Sequence, residues 1–255
     1  MYAGKPNSID SIKQQVQLHA GKHPLPFYSL LGLRRKYREL AVSKATQLVI
    51  EGFPRSGNTF AVVAFRQAQQ ESISIASHLH APAQVIRAVR WEIPTLVLIR
   101  NPVDAVLSLV IRHPHISTTW ALKSYISFYE TIASYRHAYV IGSFDEVIED
   151  YGAVIERVNA RFSTRFSPFD HTEDNVGEIF ARIESLNRAK GRGLVEEQIA
   201  RPSAAREELR SRARGELKAR RPGGLIAKAE AIYSDLTVRQ TGECGWLGSR
   251  PKSQY

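Results

Sequence analysis

Hydrophobic positions in this chain fall into short continuous runs, separated by longer stretches where they recur every three or four residues. Leu48-Val49-Ile50 is an apolar, partly β-branched run of strand length. Gly52 and Pro54 break it, and Asn58-Thr59 lead into Phe60-Ala61-Val62-Val63-Ala64-Phe65. The pattern predicts a strand, a glycine-containing turn and a helix over 58–70. A short strand is expected over 73–77, then a loop through Ser77-His78-Leu79-His80-Ala81, then a helix from Pro82 to about Arg90. Thr95-Leu96-Val97-Leu98-Ile99 is apolar throughout, the mark of a strand buried on both faces. Pro102 suits the first position of a helix whose apolar stripe begins at Ala105 and Val106. Helical spacing returns over 119–135 through Leu122, Tyr125, Ile126 and Tyr129, and Tyr139-Val140-Ile141 reads as the next strand. Strands alternating with helices predict an α/β fold with a central parallel sheet, whose ligands gather at the strands' carboxyl ends. Arg55, His78 and Arg100 all follow such ends.

The flanks differ. Residues 1–26 are polar, with scattered Pro and Gly, and read as a mobile or wrapping lead-in. Residues 27–40 read as a short helix, apolar on one side and basic on the other, through Arg34, Arg35, Lys36 and Arg38. Such a face is usually just solvated, but it could also make a peripheral contact with an anionic membrane surface. From Glu173 onward the chain is helical in pattern and strongly charged. Residues 179–186 are amphipathic, and 204–220 alternate Arg with Glu at helix spacing.

Charge narrows the function classes. A net charge of +10 and a pI of 9.8 imply anionic partners. The single cysteine, Cys244, forbids an internal disulfide framework and suits a reducing compartment. No apolar run approaches the ~20 residues that span a bilayer, and the N-terminus lacks the pattern of a signal peptide. The expectation is a cytoplasmic protein, with the inner membrane surface as a place it could work.

The turn after the first strand carries the chemistry. Gly52-x-x-x-x-Gly57-Asn58-Thr59 has the spacing of a Walker A loop, but Asn58 stands where that loop has Lys. The cation sits three residues upstream, at Arg55. Backbone N–H groups of such a turn and of the helix it opens favour an anion. A P-loop kinase or NTPase is one reading, weakened because its loop cation is missing. A non-enzymatic basic module for polyanions is another, which explains the charge but not the motifs.

The seven residues Pro54-Arg55-Ser56-Gly57-Asn58-Thr59-Phe60 resemble the 5′-phosphosulfate loop of sulfotransferases, Pro-Lys/Arg-Ser-Gly-Thr/Asn-Thr-Trp/Phe. Arg100-Asn101-Pro102-Val103-Asp104-Ala105-Val106-Leu107-Ser108 resembles the family's Arg-Asn/Asp-Pro-x-Asp-x-x-x-Ser. The resemblance is strong over 46–112 and extends to about 165. It implies a P-loop NTPase-like three-layer fold, with a lead-in over 1–45 and a sulfotransferase domain over 46–255 that becomes helical from about 173. It implies 3′-phosphoadenosine 5′-phosphosulfate (PAPS) as donor and 3′-phosphoadenosine 5′-phosphate (PAP) as product, with no metal required and no nucleic-acid partner. Donor contacts then fall to Arg55, Ser56, Gly57, Asn58, Thr59 and Phe60, with Phe60 at the place of an adenine-stacking Trp. Arg100 and Ser108 would hold the 3′-phosphate. Phe144 stands where the family has a Tyr near the nucleotide, and packing is the expected role of a ring without a hydroxyl. No late segment matches the family's Arg-Lys-Gly clamp cleanly; Arg201 and Arg206 are the nearest candidates.

Sulfuryl transfer needs a base for the acceptor's proton and a cation for charge on the bridging oxygen. Arg55 cannot hand over a proton, so its catalytic role would be electrostatic. Ser77-His78-Leu79 is similar to the family's Thr-His-Leu, 22 residues before Arg100, and makes His78 the preferred base. His80, two residues on, is the other candidate. Ala76 replaces a family Lys. Arg112, His113, His115, Ser117, Thr118 and Thr119 form a polar, basic segment suited to a glycan or glycolipid hydroxyl rather than a small phenol.

Overall fold

The computed structural model describes residues 21–32, 35–189 and 223–242, together with residues 208, 211, 214 and 215. Its centre is four parallel strands: β1 (Leu48–Gly52), β2 (Ile75–Ser77), β3 (Thr95–Ile99) and β4 (Val140–Ser143), in the order β2-β1-β3-β4. Every residue of β1 and β3 is buried, as a continuous apolar run requires when both sheet faces are covered. Val49 lies opposite Thr95 and Gly52 opposite Leu98, so the two strands end side by side. Parallel pairing needs crossovers, and helices supply them.

Alternation along the strands sorts the two cores. Leu48 and Ile50 of β1 and Leu96 and Leu98 of β3 face α2 (Asn58–Ala68), α7 (Tyr151–Phe162) and α8 (Glu173–Ala189). Val97 and Ile99 face the opposite layer, built from α3 (Pro82–Arg90), α4 (Pro102–Arg112), α5 (Thr118–Ala133) and α9 (Gly223–Gly242). This is the α/β arrangement with a central parallel sheet that the pattern predicts, in the three-layer, P-loop-like form that the resemblance implies, with a helical C-terminal part. The remaining helices are α1 (Pro24–Gly32) and α6 (Phe144–Glu149).

Several boundaries differ from expectation, each for a local reason. Residues 24–26 belong to α1 rather than to an irregular lead-in, and 27–40 is not one helix but the end of α1 followed by a 3-10 turn over Arg35–Leu40. Strand β2 starts at Ile75 because the Gln47 side chain takes up the Ser74 N–H at 2.9 Å, outside the ladder. Helix α2 stops at Ala68, where Gln69 turns extended and its amide donates to Phe65 O and Ser167 O. Strand β4 leads directly into a short helix, α6, opened by a capping box between Ser143 and Glu146. Residues 1–20, Arg34, Arg201, Arg206 and nearly all of 204–220 lie outside the described residues, as do the side chains of Arg35 and Lys36. No helix among the described residues is long and apolar enough to cross a membrane.

Candidate functional site

The chain leaves β1 for α2 over one face of the sheet and leaves β3 for α4 over the other, so a crevice opens where the two strands end. Gly52 makes this approach possible. A Cβ there would lie 2.3 Å from Leu98 O, inside the neighbouring strand's backbone. The turn then runs from Phe53 to Gly57, whose φ of 90° is the left-handed conformation that glycine adopts without strain. No side chain caps α2, and its first N–H groups open onto the loop, an arrangement that suits an anion.

Arg55 also has positive φ, 72°, and its Nε donates to Ser108 Oγ on α4 at 3.0 Å. Arg100, just past β3, donates from Nη1 to Arg55 O at 3.1 Å, with its guanidinium 3.8 Å from the centre of the Phe144 ring. The two sequence motifs therefore meet: Arg55 contacts both Arg100 and Ser108. Phe144 packs, as expected of a ring without a hydroxyl, and Gly57 sits under its edge, where a Cβ would lie 3.5 Å away. Asn101 caps α4 by accepting from Val103 N and Asp104 N. Asp104 pairs with Arg214 at 2.6 Å. Arg214 comes from a stretch whose Arg/Glu spacing suggests only a solvated face.

The other loop residues divide by burial. Asn58 is 4% exposed, and its amide donates to Phe53 O at 3.0 Å, stapling the turn from inside. Ser56 is buried beneath the loop. Phe60 is turned into the core among Tyr151, Phe169, His171 and Phe180. Thr59 is exposed at the head of α2, with Oγ1 3.3 Å from His78 Nε2.

His78 and His80 flank the crevice on a loop that both hold at positive φ, 64° and 50°. Of the five described non-glycine residues with positive φ, three are Arg55, His78 and His80, and strain of this kind gathers where a site over-determines the backbone. His78 Nδ1 lies 2.9 Å from Ser77 Oγ. His80 Nδ1 lies 2.8 Å from Gly52 O. Their rings are 6.0 Å apart. His113 and His115, in the turn between α4 and α5, stack edge to face on each other at 5.8 Å.

What holds the histidine loop is Glu51, which sequence reasoning missed. Its carboxylate is fully buried and accepts from Leu79 N at 2.9 Å and His80 N at 3.1 Å. Gln84 Nε2 approaches at 3.4 Å, and His80 Nδ1 lies 3.8 Å away. Burial raises the Glu51 pKa, opposed by His80 and these N–H donors. The available signal was a carboxylate inside a run otherwise wholly apolar. Two tyrosines of α5 complete the frame. Tyr129 donates to Leu98 O at 2.7 Å and accepts from Phe53 N at 3.2 Å, and Tyr125 donates to Arg100 O at 2.8 Å. Burial raises the pKa of both phenols and keeps them as donors.

Among solved structures, the chain is similar to mouse sulfotransferase SULT7A1 complexed with PAP, at 13% identity and a TM-score of 0.38, over 60% of this chain and 67% of that one. No protein-family model and no curated protein matches the chain.

Proposed function

We propose that this protein is a sulfotransferase, moving a sulfuryl group from PAPS to an acceptor hydroxyl. The observation that carries the reading is the meeting of the two motifs: Arg100 bonds the backbone of the Arg55 loop, and Arg55 bonds Ser108. Two guanidiniums, a hydroxyl and an uncapped helix N-terminus in one crevice suit a nucleotide with phosphates at both ends. Each charge-assisted bond to such a donor contributes about 1.5–3 kcal/mol. Arg55 is the cation for charge developing on the bridging oxygen, Arg100 and Ser108 hold the 3′-phosphate, and a histidine of the 78–80 loop takes the acceptor's proton. A sulfuryl group carries less charge than a phosphoryl group, so the reaction runs without Mg²⁺.

The acceptor is a glycan or glycolipid hydroxyl. The end of α4 and the turn after it support this, because Arg112, His113, His115 and Ser117 carry charge and hydrogen-bonding groups rather than the aromatic wall a phenol prefers. Exposed Leu25 and Leu30 on α1, with the basic segment 34–38 beside them in sequence, would bring the enzyme to an anionic cytoplasmic membrane surface.

Thermal melts with PAP, AMP and ATP, each without Mg²⁺, test the donor. PAP should stabilise most, by about 2.7 kcal/mol at a hundredfold excess over its Kd. Equal stabilisation by AMP would remove the 3′-phosphate assignment. Transfer to an oligosaccharide pool but not to a simple phenol is the outcome expected for the acceptor; the reverse rejects it.

A further inference from the structure

The two histidines of the crevice differ in the bonds their ring nitrogens make, and the difference selects one of them. His78 faces a hydroxyl at each nitrogen, Ser77 Oγ at 2.9 Å and Thr59 Oγ1 at 3.3 Å. A hydroxyl donates or accepts, so these contacts leave the tautomer of His78 undetermined. His80 is held differently. The partner of its Nδ1 is the Gly52 carbonyl at 2.8 Å, which only accepts, so neutral His80 must carry its proton on Nδ1. Nε2 is then the basic nitrogen, on a side chain 26% exposed at the crevice.

Behind the same Nδ1, at 3.8 Å, lies the buried Glu51 carboxylate. Its oxygens accept from two consecutive backbone N–H groups, Leu79 and His80, and from Gln84. These donors favour the charged form of Glu51, opposing the burial that raises its pKa. Tyr28 and Tyr129 also feel this carboxylate. Glu51 therefore does two things. It fixes the positive φ at His80, and it sets a negative charge behind the ring nitrogen where positive charge appears once Nε2 gains a proton. Carboxylate, imidazole and reacting hydroxyl in that sequence follow the logic by which a buried acid orients a histidine base and stabilises its imidazolium.

We propose that His80, oriented and charge-stabilised by Glu51, is the proton acceptor of this site, while His78 shapes the loop. This rests on the sulfuryl-transfer reading. In the step, the acceptor hydroxyl loses its proton to His80 Nε2 as its oxygen bonds to sulfur. The bond from sulfur to the bridging oxygen breaks, and its electron pair leaves on the 5′-phosphate of PAP beside Arg55. Glu51 touches none of the reacting atoms and is a positioning residue.

The test uses the full chain, PAPS as donor and an oligosaccharide acceptor, with PAP binding measured on every variant. Imidazole ¹⁵N spectra of the wild type should place the proton of neutral His80 on Nδ1. His80→Ala should slow single-turnover transfer by about 10²-fold or more with PAP affinity retained, and His78→Ala should lose less. Glu51→Gln should slow the same step, and adding it to His80→Ala should bring no further loss, because the charge then has no imidazole to act on. A neutral His80 protonated on Nε2, a fully active His80→Ala, or additive losses in the double variant would each overturn the assignment. Should Glu51→Gln fail to fold, the tautomer and the His80→Ala rate decide alone. A wild type that binds no PAP rejects the transferase reading and the assignment with it. PAP binding with an active His80→Ala rejects only the assignment.

Discussion

At the scale of single residues, the crevice is governed by a few atoms whose replacement has separable effects. Arg100 bridges the two motifs by donating to the Arg55 carbonyl. Its loss should weaken PAP while leaving AMP nearly unchanged, since only PAP carries the 3′-phosphate assigned to it. Parallel titrations of Arg100→Ala with both nucleotides check this, and equal weakening would place Arg100 elsewhere. Gly52 is constrained by space rather than by charge. A methyl group there meets Leu98 O at 2.3 Å, a backbone atom of a central strand that cannot swing aside. Gly52→Ala should therefore destabilise the fold by about 1–3 kcal/mol or more, as overpacking of a rigid site does, read as a lowered urea midpoint. An unchanged midpoint would mean that β1 and β3 can part at no cost.

Elements act through their ends. Helix α2 begins at an uncapped glycine and so offers its N–H groups to an anion. Helix α6 is closed at the same end, because Ser143 accepts from Glu146 N while Glu146 takes the Ser143 N–H. Glu146 is half-buried, which alone would raise its pKa. The bonds from Arg157 and Ser143 outweigh that and hold it below the ordinary 4.5. A carboxyl depressed in the folded state contributes stability above its unfolded value, lost as pH falls through the folded one. Acid unfolding of the wild type should thus show a loss below about pH 4.5 that Glu146→Gln lacks. Matching pH profiles for the two proteins would contradict the depressed pKa.

The whole molecule brings distant segments to one line. Helix α5 reaches back with Tyr129 to Leu98 and Phe53, and with Tyr125 to Arg100, tying the β3 end and the turn after β1 to the opposite layer. Helix α9 packs on the same layer through Ala229 and Leu236, with Lys228 to Glu130 at 2.7 Å on its rim. Arg214 brings the C-terminal part to Asp104 of the second motif. With both carboxyl ends of the central strands braced this way, PAP should protect the turn after β1 and the start of α4 together in hydrogen exchange. Protection confined to the turn would separate the two motifs.

Much of this was determined by the sequence alone. Apolar runs long enough for one strand, separated by helical spacings, dictate parallel strands with covered faces. Gly52 and Gly57 require a turn at that place, because no other residue tolerates the close approach of Leu98 or a φ of 90° as easily. Arg55, Arg100 and Ser108 could be picked out because their neighbours form two motifs. Contacts between segments far apart in the chain were not legible. Phe60 lies where stacking on a base is the natural reading, yet which side of an amphipathic helix faces the core depends on α7 and α8, and they enclose it. Asn58 turned inward for the same kind of reason, its amide meeting a carbonyl that only the folded turn presents. Glu51 stood in plain view within an apolar strand. What it serves was decided by a loop 28 residues away, whose N–H groups need an acceptor that only the sheet could bring to them.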